Sequence, residues 1–168
     1  MSQRAKARAQ VRPSAGTPAV HALQGLNLAF ELHRYAFSGA VGIALEAAEA
    51  LAIAPARILK TLMASVDGRL VVALVPADRE LSLKALAAAV GGKRAVMADL
   101  RQAERATGYV KGGISPFGQR QRSPAVVDRS VLEHATVFVN GGRRGLEIEL
   151  DPNDLIAALG AIVAPIAR

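Results

Sequence analysis

Two apolar, β-branched runs, residues 58–66 and 69–75, meet at Asp67-Gly68 and form the most strongly patterned stretch of the chain. Asp-Gly between such runs specifies a type I′ turn, because both central residues must take positive φ. The pattern predicts an antiparallel hairpin. Residues 30–35 alternate apolar and polar, as a half-buried strand does. Thr17 before Pro18 marks a helix start, and Gly25 its end. Residues 42–52 read as a helix with Glu46 and Glu49 on one face, punctuated by Pro55. Ser82 caps a helix that runs to Val90 before Gly91-Gly92, and Asp99 caps another that runs to about Thr107 with Gly108 as its stop. Residues 125–127, 136–139 and 146–150 read as short strands, and Asp151-Pro152 opens a last helix.

Helices and strands are interspersed, while the Asp-Gly hairpin argues against an all-parallel sheet. The expected fold class is α+β, a single domain over residues 16–168 with one mixed sheet and no internal repeat. Residues 1–15 have no hydrophobic period and carry Arg4, Lys6, Arg8 and Arg12 without an acid, so they read as a flexible basic arm.

Composition narrows the chemistry. A chain of 168 residues with 51% apolar and 21% charged residues builds a core without staples. The absence of cysteine excludes a disulfide scaffold, a thiol nucleophile and a Cys-ligated metal. His21, His33 and His134 are too far apart in sequence for a local metal motif, so neither metal nor cofactor is expected. The longest apolar stretch, residues 155–167, falls short of the ~20 residues that a membrane span needs. The N-terminus lacks the apolar segment of a signal peptide, so a soluble, cytoplasmic protein without membrane contact is expected. The net charge of +7 is polarised: between Lys93 and Arg122 seven cations stand against two acids. Such a stripe is either a solvated face or a polyanion-binding surface.

Several positions offer chemistry. Residues 108–124 form a long loop, and loops of this length inside a small domain are usually functional. Its Gly112-Gly113 pair permits close approach of backbone amides to an oxyanion, or it is a plain connection. Lys60 interrupts an otherwise apolar strand; it either snorkels to an edge or is held in a cleft facing an anion. Residues 140–145, Asn-Gly-Gly-Arg-Arg-Gly, form a second glycine-rich turn that lacks the ending of a P-loop. Glu147 and Glu149 share one strand face, as an acid/base pair or as a solvent-facing polar side. There is no Gly-x-Ser-x-Gly elbow, and aromatics at 4% make base stacking an unlikely mode of RNA recognition.

Taken in order, Thr17-Pro18-Ala19, Leu59-Lys60-Thr61-Leu62, the block 108–119 (Gly-Tyr-Val-Lys-Gly-Gly-Ile-Ser-Pro-Phe-Gly-Gln) and the block 140–150 resemble the YbaK/EbsC family, and most closely its Cys-tRNA(Pro) deacylase branch. The resemblance spans residues 17 to about 168. It implies a compact α+β domain with a mixed, curved sheet flanked by helices, similar to the editing domain of bacterial prolyl-tRNA synthetases. It implies hydrolysis of the ester joining a wrong amino acid to the acceptor end of tRNA, with mischarged tRNA as partner and prolyl-tRNA synthetase as a further one. By this resemblance Lys60, Gly112 and Gly113 fall at catalytic positions. Tyr35, Ile114, Ser115, Pro116, Asn140, Gly141 and Glu147 fall at substrate-binding positions. The branch is one in which the substrate thiol attacks its own carbonyl and leaves as a thiolactone, so no protein nucleophile is required. Two positions depart from it: Asn140 stands where serine is common and Glu147 where aspartate is. Those departures leave alanine, serine or threonine open as the removed amino acid, and a non-catalytic tRNA- or synthetase-binding module as the alternative of another class.

Overall fold

Four of the five described helices begin at a capping side chain. In the computed structural model, which describes residues 16–40 and 42–168, Thr17 accepts from Val20 N at the start of α1 (Pro18–Gly25). Ser82 does the same for α3 (Leu83–Ala89), Asp99 for α4 (Leu100–Thr107) and Asp151 for α5 (Pro152–Leu159). Each cap satisfies an amide that the first turn would otherwise leave orphaned. The remaining helix, α2 (Ile43–Ala50), starts at Gly42 without a side-chain cap. The basic arm read at residues 1–15 lies outside the described residues.

The hairpin forms as its sequence demands. Strands β2 (Leu59–Val66) and β3 (Arg69–Pro76) pair antiparallel from Leu59↔Pro76 to Val66↔Arg69. Asp67 and Gly68 take φ of 49° and 84°, the two positive values of the predicted turn. On β3 successive side chains go to opposite faces. Leu70, Val72 and Leu74 join the main core, while Val71, Ala73 and Val75 join a second cluster beneath α3. A strand buried on both faces explains why its sequence is a continuous apolar run.

The single expected sheet is two sheets. Strands β1 (Glu31–Arg34), β6 (Val137–Asn140) and β7 (Leu146–Leu150) form an antiparallel three-stranded sheet in the order β1-β7-β6. The second sheet is mixed and has the order β4-β2-β3-β5-β8, with β4 (Ala95–Met97), β5 (Ala125–Asp128) and β8 (Ile162–Ala164). Strands β4 and β8 were not legible as separate elements because each has three residues and is defined by its partner, β2 and β5 respectively. The two sheets meet at a parallel bridge between Ile58 and Phe138. Between them lies the main core, which gathers Leu23, Leu74, Val127, Ile148 and Leu155.

A buried carboxylate fastens the C-terminal end. Asp128, 2% exposed, accepts from Ile166 N at 3.0 Å, Ala167 N at 2.9 Å and Ser130 Oγ at 2.5 Å. Burial raises its pKa, but the bonds from Ser130, Ala167 and Ile166 outweigh that and hold the carboxyl below its ordinary range. Hydrogen bonds to charged groups are worth ~1.5–3 kcal/mol each. Asp128→Ala, which strands the buried Ile166 amide and the half-buried Ala167 amide, should therefore cost about 3 kcal/mol and lower Tm by about 6–12 °C in a thermal melt. A melting temperature equal to wild type would contradict that role.

Candidate active site

Strand β4 pairs only with Ala64, Ser65 and Val66, so the first half of β2 keeps an edge that no described strand covers there. A cavity of about 260 Å³ lies along that edge. Leu59, Lys60, Thr61 and Leu62 of β2 form one wall, and Ile43 and Ala44 of α2 form another. The long loop contributes Lys111, Gly112 and Ile114, and the three-stranded sheet contributes Asn140 and Glu147. Five residues singled out in the sequence (Lys60, Gly112, Ile114, Asn140 and Glu147) thus line one cavity although 87 positions separate the first from the last.

Lys60 is half-buried at the rim, and its Nζ donates to the Arg79 carbonyl. The ammonium keeps further protons for an anion, so the cleft reading and the edge reading describe the same geometry.

The two glycine-rich loops interlock. Asn140 Nδ2 donates to Gly112 O at 3.2 Å and to Arg143 O at 3.3 Å, and its Oδ1 accepts from Gly142 N at 2.7 Å. A Cβ on Gly113 would stand 2.8 Å from the Cα of Arg143, so only glycine allows this approach. The expectation that both glycine amides face a substrate carbonyl needs correction. Gly113 N already donates to Val110 O at 2.9 Å, which closes a tight turn and removes that donor. The Gly112 amide has no acceptor among the described residues.

Glu147 and Glu149 do not form a solvent-facing side. Helix α2 and residues 35–40 cover that face, with Glu46 accepting from the Ser38 and Gly39 amides to hold the segment down. Glu147 is 2% exposed and Glu149 is engaged elsewhere, accepting from Thr136 Oγ1 at 2.5 Å and bonding His33 Nε2 at 2.9 Å. Glu31, His33 and Glu149 do converge, but the Arg57 guanidinium lies 3.4 Å from Glu149 and opposes a cation there. Burial pushes the Glu147 carboxyl up to about 8, so it carries a proton at neutral pH.

Three buried polar atoms here have no partner: Tyr35 Oη, Thr61 Oγ1 and Glu147 Oε2. Each such orphan costs ~1–3 kcal/mol, a loss that a bound ligand can offset. Tyr35 stands one residue beyond β1, and its hydroxyl is raised to about 12 by burial and then by Glu147. Tyr35 is not among the residues that line the cavity. Ser115, Pro116 and Gly141 also lie off the lining: Ser115 Oγ accepts from Phe117 N, Pro116 faces a separate cavity, and Gly141 N donates to Leu146 O. Sequence reasoning missed Ile43, Ala44, Leu59 and Leu62 as lining residues, since apolar wall positions look like any core positions. Thr61, which stands beside Lys60 in the recognised Lys-Thr-Leu run, carried the one legible signal.

The same build occurs in known proteins. Residues 40–158 match the family described as aminoacyl-tRNA editing domain. A "Putative Cys-tRNA(Pro)/Cys-tRNA(Cys) deacylase EbsC" of Enterococcus faecalis is 34% identical over 143 residues, which is 84% of this chain and 87% of that protein. A proline–tRNA ligase of Moorella thermoacetica is 37% identical over 98 residues, 58% of this chain and 17% of the ligase. A crystal structure of "a putative trans-editing enzyme for prolyl tRNA synthetase" superposes with a TM-score of 0.80 at 27% identity, covering 94% of this chain and 99% of that one. The fold is that of an editing domain. The chain belongs to the aminoacyl-tRNA editing domain family, in the company of YbaK-like trans-editing proteins. No described helix is long and apolar enough to cross a membrane.

Proposed function

We propose that this chain is a trans-editing deacylase that cleaves the ester between a wrong amino acid and the 3′ end of tRNA, with Cys-tRNA(Pro) as its substrate. The observation that carries the reading is the cavity at the open edge of β2, where a cation, an unpaired amide and a protonated carboxyl converge. An aminoacyl ester is already an activated acyl group, so positioning and oxyanion stabilisation suffice. Lys60 holds the terminal phosphate. The Gly112 amide faces the developing oxyanion, a contribution of ~2.7–4 kcal/mol per donor in such sites. No serine, histidine or cysteine lines the cavity among the described residues. The attack then falls to the substrate thiol: its sulfur bonds the carbonyl carbon, the bond to the ribose oxygen breaks, and the thiol proton passes to that oxygen through water. The products are a thiolactone and free tRNA.

Ile43, Leu59, Leu62 and Ile114 give the cavity an apolar wall suited to a thiol. Prolyl-tRNA synthetase is the proposed partner, supported by the likeness to part of a proline–tRNA ligase. A second reading, removal of serine or threonine, is favoured by Thr61 Oγ1 and Glu147 Oε2, two unpaired groups in reach of a substrate hydroxyl. Side-by-side deacylation of Cys-, Ala-, Ser- and Thr-charged tRNA(Pro) separates these readings. Cysteine alone lost rapidly supports the first, preference for a hydroxyl amino acid the second, and no turnover on any of them a binding module without activity.

A further inference from the structure

A second cavity lies at the other end of the β2–β3 hairpin, and its walls are cationic. About 370 Å³ in volume, it collects Arg69 from the hairpin, Arg105 from α4 and Arg122 from the loop before β5. Gln102, Gln121 and Ser123 add to its polar lining, and among the described residues no acid lines it. Gln121 N donates to Ala106 O at 2.8 Å and Arg120 N to Thr107 O at 3.1 Å, so the Arg122 segment is fixed against the end of α4. No described acid forms an ion pair with Arg69, Arg105 or Arg122. The buried hydroxyl of Ser123, which also lines this cavity, has no hydrogen-bond partner. Three exposed cations from three separate segments concentrate positive potential at this cavity, and the Ser123 hydroxyl is left unpaired. A bound oxyanion suits this cluster, because guanidinium groups are the donors that phosphate oxygens take.

We propose that this cavity is a second phosphate-binding subsite, which holds a backbone phosphodiester of the RNA whose 3′ end enters the cavity at Lys60. The identity of the ligand rests on the deacylase reading; the existence of an anion site does not. Arg69 stands opposite Val66, six residues along β2 from Lys60, which is about 20 Å at ~3.3 Å per residue. A stacked strand advances about 3 Å per nucleotide, so the phosphate lies about six to seven nucleotides from the ester. That places it just inside the base-paired stem, beyond the unpaired 3′ end. The two cavities then fix both ends of one RNA segment, and the remote one sets orientation without touching the ester.

Binding of uncharged tRNA(Pro) across a salt series tests the proposal without requiring any deacylation. Arg105→Ala and Arg122→Ala should each weaken binding about five-fold and flatten the slope of log affinity against log salt by about 0.7–0.9. Lys84→Ala, an exposed cation on α3 outside this cavity's lining, should leave both unchanged. Deacylation of a cysteinyl CCA trinucleotide, too short to reach the second cavity, should be equal in all variants, while full-length substrate shows a raised KM at constant kcat. Arginine variants that bind tRNA like wild type, or that lose the short substrate as well, overturn the proposal. So does competition by inorganic phosphate that the substitutions abolish while tRNA affinity stays the same, since the site then serves a small phosphate. Weakened tRNA binding with no turnover on any charged tRNA keeps the subsite and removes the deacylase reading.

Discussion

Lys60→Ala should leave the protein folded and reduce kcat/KM for deacylation by about 100-fold or more. The side chain's one described bond is to the exposed Arg79 carbonyl, which water can satisfy when the ammonium is gone. The stability cost is therefore about 1 kcal/mol or less. In the proposed reading the activity cost is larger, because a charge-assisted contact to phosphate is roughly twice as strong as a neutral one and would fix the ester against the Gly112 amide. Steady-state deacylation together with a thermal melt reads both quantities. Unchanged turnover in a folded variant would remove Lys60 from the machinery.

The second large effect is on stability against pH. In the folded state burial pushes Glu147 up to about 8, against an unfolded value of ~4.3. The folded state therefore holds the proton that the unfolded chain has already released. Its contribution is fully present below the unfolded pKa, falls as pH rises, and is gone above about 8. Between those limits wild type should lose up to ~1.4 kcal/mol per pH unit relative to Glu147→Gln, whose amide does not titrate. Urea melts of both proteins at pH 5, 6, 7, 8 and 9 cancel the contribution of every other group. Curves that stay parallel across the series would show that Glu147 is ionised throughout. The same titration should appear in catalysis as a decline above about pH 8 in wild type, if the proton on Glu147 is needed to hold the substrate.

Local sequence specifies some elements of this fold and not others. The hairpin at Asp67-Gly68 and the caps at Thr17, Ser82, Asp99 and Asp151 are local devices, and the structure places each at the element it was expected to start or turn. Strands β4 and β8 exist only through pairing with distant segments, so no local pattern announces them. The division into two sheets has the same origin. The cavity falls between these cases. Lys60 and the loop around Gly112 stood out because a cation in an apolar strand and a glycine pair in a long loop are locally odd.

Glu147 illustrates what alternation cannot reveal. Period two told which residues share its face, but not that α2 and residues 35–40 fold over that face and dehydrate it. Asn140 and Gly113 show a further limit. Asn140 bonds Gly112 O across 28 positions and Gly113 packs its bare Cα against Arg143, so both join the two glycine-rich loops through contacts distant in sequence. An asparagine reaches both Gly112 O and Arg143 O with one amide, which a serine at this position cannot do.

The most direct test of the account is single-turnover release of cysteine from Cys-tRNA(Pro) with wild-type enzyme in excess, measured against spontaneous hydrolysis of the same ester. Acceleration of about 100-fold or more is expected, the scale that one oxyanion donor supplies, with free tRNA as the RNA product. Release at the spontaneous rate from Cys-tRNA(Pro), and likewise from its Ala-, Ser- and Thr-charged counterparts, would contradict it.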